Sequence, residues 1–199
     1  AGDYMASGAN GANSLWSSVS NWQTFTGSTW VAASSLPTAN AAHVFITSSS
    51  GSMVFDSAAP TASFTNLVVL GSLTLEKSML VTTSLTIGGT GSFTCTGYTL
   101  ALYGSGISIN GTLAVNMLEL AGYGGFVMPT SITSLTSLTV NMLNPSEEVA
   151  LSETGYTNDI SIGTLTITLG ILSINDNSLS VNSLKVGANG TLLGGGSCC

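Results

Sequence analysis

The sequence predicts an all-β fold, a parallel β-helix (β-solenoid) of about seven or eight coils with an aromatic-rich N-terminal cap. Three observations predict it. A three-residue unit, apolar then small polar then apolar, recurs from about residue 44 onward. Successive units often start five to seven residues apart, with Gly, Asn or Ser between them. Only 6% of the residues are charged while 57 of 199 are Ser or Thr, a composition suited to side chains stacked like on like, where repeated charges would repel.

Taken in chain order, residues 1–43 read as an N-terminal arm and cap. They hold all three tryptophans, Trp16, Trp22 and Trp30, and the single histidine, His43. A solenoid has to cover the open end of its core, and large aromatic side chains would do so. The run from Ala6 to Ser14 is a flexible arm by composition.

Residues 44–193 read as the solenoid. Its units include Leu73-Thr74-Leu75, Leu85-Thr86-Ile87, Ile107-Ser108-Ile109, Leu118-Glu119-Leu120, Leu138-Thr139-Val140, Leu165-Thr166-Ile167 and Leu184-Lys185-Val186. Each alternates with period two, as a short strand with one buried face must. The units are too short for a sandwich with ordinary hairpins, and far shorter than the roughly 9 to 11 residues of an outer-membrane barrel strand. Three strands per coil give a repeat of roughly 18 to 22 residues stacked about 4.8 Å apart. Gly and Asn are expected to supply positive φ at the corners, and Gly122–Ser131 and Pro145–Asp159 to bulge out as loops. Residues 194–199 form a Gly-rich tail ending in Cys198 and Cys199.

The composition also excludes functions. The chain has two lysines and no arginine, and its net charge is −7, so no basic face exists for nucleic acid or an anionic membrane. No apolar run approaches the roughly 18 residues of a membrane-spanning helix. Catalysis through a Ser-His-Asp or Cys-His arrangement would rest entirely on His43. The carboxylates Glu147, Glu148, Glu153 and Asp159 form one cluster, which reads as a solvated acidic loop rather than a Ca²⁺ site or a glycosidase pair. No catalytic, cofactor-binding or metal-ligating residue is therefore assigned, and no cofactor is expected. A Thr array for binding ice, through Thr74, Thr86, Thr139 and Thr166, is interrupted at Ser108, Ala114, Glu119 and Lys185. Asn110-Gly111-Thr112 and Asn189-Gly190-Thr191 fit glycosylation sequons and Asn-Gly corners equally well.

Asn21-Trp22, Leu36-Pro37-Thr38-Ala39 and His43-Val44-Phe45-Ile46, followed by Leu67-Val68-Val69 and Gly71-Ser72-Leu73-Thr74-Leu75, resemble the opening of bacterial secreted β-solenoids of the autotransporter-passenger and adhesin type. The resemblance implies an extracellular or cell-surface location. Pectate lyases and polygalacturonases share the architecture, but their sites need arginine or lysine beside several acids, which this chain lacks.

Two functional expectations follow. The first is a structural subunit that assembles end to end with itself into a filament or surface fibre. An uncapped coil exposes unpaired backbone groups, and a head-to-tail contact that does not close propagates. Cys95, Cys198 and Cys199 are the candidates for cross-linking such a joint. The second is an adhesin or glycan-binding module that stacks sugars on Trp16, Trp22, Trp30, Tyr103 and Tyr123.

Overall fold

A computed structural model describes residues 2–7, 14–60, 63–122, 125–152, 159–175 and 177–194. The chain is a parallel β-solenoid of about seven turns, 62% strand and 3% helix. Its backbone polar groups are therefore satisfied mainly between coils.

The N-terminal end is built from β1 (Tyr4–Ala6), β2 (Ser14–Leu15), β3 (Trp22–Phe25) and β4 (Trp30–Ala32). Next come β5 (Val44–Ile46), β6 (Ser52–Phe55), β7 (Ser63–Val69), β8 (Ser72–Leu75) and β9 (Met79–Ile87). The middle holds β10 (Ser92–Leu102), β11 (Gly106–Ile109), β12 (Thr112–Gly122) and β13 (Phe126–Val127). The C-terminal part holds β14 (Ser134–Met142), β15 (Glu148–Ala150), β16 (Ile160–Ser173) and β17 (Leu179–Leu193).

These strands line three faces. On the first, Met53, Leu73, Phe93 and Leu113 stack in register at intervals of 20 residues. On the second, Leu100, Leu118, Leu138, Leu165 and Leu184 form one inward column. The third runs from Val44 through Leu67 and Leu85 to Ile107. The outward position between two such columns reads Ala101, Glu119, Thr139, Thr166, Lys185. Its two charges never stack on a like charge, so the small-polar composition has its expected physical role.

Many of the expected short strands are merged. β10, β12 and β14 run 9 to 11 residues because pairing continues around the corner between the first two faces, β9 because it continues from the second to the third, and β16 and β17, of 14 and 15 residues, because they run through all three. Register shifts absorb several of these bends, as between Cys95 and Thr99 and between Ile167 and Leu169. The ladder also begins before residue 44, since β1 pairs with β5 and β2 with β6. Both expected bulges contain rungs, β13 in one and β15 in the other. The extra residues of the second lengthen the Leu138-to-Leu165 interval to 27.

Asn110-Gly111 turns a corner for a reason other than the one expected. Positive φ among the described residues occurs at Asn175 and at Gly27, Gly51, Gly97, Gly122, Gly125 and Gly170. Gly111 is instead required by close approach. A Cβ there would strike the carbonyl oxygens of Gly88 and Gly91, while its N–H bonds to the Ile87 carbonyl at 3.2 Å.

The N-terminal end of the core is closed by aromatic rings. Trp16 packs edge-on to Trp22 at 4.6 Å and to Phe55 at 4.9 Å, and lies tilted on Phe64 at 5.0 Å between centroids. The Trp22 Nε1–H donates to the Trp16 carbonyl at 2.9 Å, which fixes the indole with its polar edge satisfied.

Candidate functional site

Trp16 and Trp22 are fully buried, so neither ring offers a face for a sugar to stack on. Trp30 is half-buried on β4, between Phe25 at 5.3 Å and Phe45 at 6.2 Å. Tyr103 is exposed, and its hydroxyl donates to Glu119 Oε1 at 2.8 Å. That bond, with slight burial and the carboxylate's charge, raises the phenol above its ordinary pKa. Tyr123 lies outside the described residues.

Cys95 sits in the core with its thiol bonded to the Tyr98 carbonyl at 3.2 Å. Burial pushes its pKa up to about 11, opposed only by that bond. A cross-link through Cys95 would require its coil to open. Cys198 and Cys199 lie outside the described residues.

The polar candidates are dispersed. His43 Nδ1 lies 3.0 Å from Asp3 Oδ1 at the exposed N-terminal edge. Asp159 accepts the Ser178 N–H at 3.0 Å, and Glu148 is exposed on β15, while Glu153 lies outside the described residues. Among the described residues no group of three His, Cys, Asp or Glu could hold a metal ion. No helix among them is long and apolar enough to cross a membrane. Thr74 stacks on Thr94 and Thr139 on Thr166, but each pair ends within two coils, at Ala114 and Lys185.

Two places break the solenoid's own pattern. The first is its last described coil. Leu184 and Val186 stand in register on Leu165 and Ile167, which are fully buried. Yet Leu184 is 50% and Val186 44% exposed, because no further rung among the described residues covers them. Among the described residues β17 pairs with β16 alone, so one edge of a 15-residue strand is free. At the opposite end β4, among the described residues, pairs only with β3, beside exposed Phe25 and Val31.

The second is a cleft in the middle of the third face. Among the described residues β11 pairs only with β9, and β13 only with β15. Between them opens a cavity of about 430 Å³ whose walls include Ile107, Ile109, Phe126, Met128 and Pro129. One coil further on the first face is open too, with a cavity of about 170 Å³ between Leu113–Asn116 and Ser131–Ser134. The second face pairs at both levels, Thr99–Leu102 with Met117–Leu120 and Met117–Gly122 with Ser137–Met142. Sequence reasoning treated Gly122–Ser131 as a bulging loop and missed that β13 returns to the ladder without meeting β11.

No family model, curated protein or solved structure matches the chain.

Proposed function

We propose that the chain is an extracellular structural subunit of the autotransporter-passenger and adhesin type, a solenoid that assembles end to end into a filament or surface fibre. The observation that carries this reading is the last described coil, whose inward positions Leu184 and Val186 are exposed and whose outer edge has no partner among the described residues. Natural edges are usually protected by charge, proline or a covering element. β17 carries only Lys185 and β4 carries no charge at all. A second copy stacked on β17 would bury both side chains and pair the free edge, and because the two ends differ the contact is head-to-tail, which propagates along the solenoid axis into a filament where its rotation does not close a ring.

Negative-stain electron microscopy of unreduced protein, repeated after thiol reduction, tests the reading. Filaments with a subunit repeat of roughly 35 to 45 Å support it, on the coil spacing of a parallel ladder. Their loss on reduction assigns the joint to Cys198 and Cys199. Monodisperse short rods in both conditions overturn it.

A further inference from the structure

We propose that the cleft between β11 and β13 is an acceptor site for an extended, uncharged peptide segment, which adds as one more parallel strand with apolar side chains on alternate residues. This stands apart from the assembly reading, which concerns the ends of the solenoid.

Both walls of the cleft are strand edges. The Asn110 N–H bonds to the Ile87 carbonyl at 2.9 Å, so strand alternation turns the N–H and C=O of Ile107 and Ile109 away from β9 and into the cleft. Opposite them, the Met128 N–H bonds to the Ala150 carbonyl at 2.8 Å, which turns the Val127 backbone away from β15 and toward the same space. An added strand is thus offered donors and acceptors on both sides, the arrangement used in β-strand addition.

The side chains specify its chemistry. Ile107 and Ile109 stand in register on Leu85 and Ile87. The lower pair is fully buried, whereas the upper pair is half-buried and faces the cavity. The next rung's Phe126 and Met128 line the opposite wall, so apolar side chains bound the cavity on both sides without packing on one another across it. None of the lining residues is charged, and a charged occupant would lose its hydration with nothing to pair it. The cavity of about 430 Å³ falls within the roughly 300 to 1,000 Å³ of ordinary ligand sites. An occupying strand continues the interface that β9 already makes with β11 and β15 with β13, so an extended segment of about four residues fits better than a compact molecule, by the rise of about 3.3 Å per residue.

The test uses the full chain and a fluorescein-labelled synthetic peptide with the sequence of residues 84–90, a third-face rung of this same chain. Saturable binding by fluorescence anisotropy, at least tenfold weaker for the same peptide N-methylated at alternate residues, is expected. Hydrogen exchange with the unlabelled peptide should slow the amides of Ile107, Ile109 and Val127. The variant Val127→Pro removes a cleft-facing donor while leaving the β15 pairing intact, and should weaken binding at least tenfold. Equal binding of the N-methylated peptide overturns the proposal in favour of a simple apolar pocket. Protection confined to β17 overturns it in favour of the terminal edge. Protection of the cleft amides by raised protein concentration alone makes a second copy the occupant and equally overturns it.

Discussion

Leu165 and Leu184 occupy the same column on adjacent coils, so replacing each by Ala separates the value of a covered inward position from that of an open one. The change removes three carbon groups, worth about 2.4 kcal/mol of transfer free energy at about 0.8 kcal/mol each when fully buried. Leu165 is fully buried, and the cavity left behind brings its cost to about 3–5 kcal/mol. Leu184 keeps 50% of its surface exposed, so its change should cost about 1.2 kcal/mol and enclose no cavity. Urea unfolding followed by far-ultraviolet circular dichroism measures both, with the slope checked for constancy. At low protein concentration Leu165→Ala should be the more damaging by about 2 kcal/mol or more. If copies stack on β17, the cost of Leu184→Ala should grow over a roughly hundredfold rise in concentration, because association stabilises by mass action. Equal costs at every concentration would refute the reasoning, since the last coil would then be covered from within its own chain.

Gly111→Ala should destabilise the chain by about 2 kcal/mol or more, because the added methyl meets carbonyl oxygens of the preceding coil rather than a side chain that can yield; an unchanged urea midpoint would show that this corner opens freely. Asp56 is buried, which raises its pKa, but the hydroxyl and N–H of Ser17 and the N–H of Ala58 outweigh burial and hold it below the ordinary 3.8. Its contribution is therefore complete above that value and lost as pH falls through the lower folded value, so Asp56→Asn should flatten the acid limb of a stability-against-pH curve. In a chain carrying Cys198→Ser and Cys199→Ser, Cys95 should resist iodoacetamide at pH 8 until denaturant is added, since its thiol is buried and its pKa is raised to about 11; labelling of the folded protein at the rate of a free thiol would show that its coil opens.

The inward columns were legible residue by residue. Leu85-Thr86-Ile87 and Ile107-Ser108-Ile109 alternate with period two, and their registers in the fold are Leu85 with Ile107 and Ile87 with Ile109. Alternation is a local property, however, and says nothing about which rung lies above which. Ile107-Ser108-Ile109 and Phe126-Val127-Met128 both alternate, yet no pairing joins them. The nearest sequence signal is Gly122, Gly124, Gly125 and Pro129 within Gly122–Ser131, a stretch read as a bulging loop and not as a ladder that opens and resumes. The buried Trp16–Trp22 plug was readable as a cap from composition alone. That Trp22 also anchors the Trp16 carbonyl required the fold, because the indole reaches back six residues across a turn.

The same scarcity of charge that permits the stack leaves its edges undefended. Along the outward column Ala101, Glu119, Thr139, Thr166, Lys185, a charge on every rung would repel its neighbour about 4.8 Å away. Neutral rungs avoid that cost at every interior level. At a free edge the balance reverses, because there a charge on each rung would discourage a further strand. β4, β11, β13 and β17 each have one edge unpaired among the described residues, and together they carry a single charged side chain, Lys185. The residue chemistry that builds the stack thus leaves each of these edges without the charge that would oppose the added strands proposed above, a second copy at the ends or a peptide in the middle.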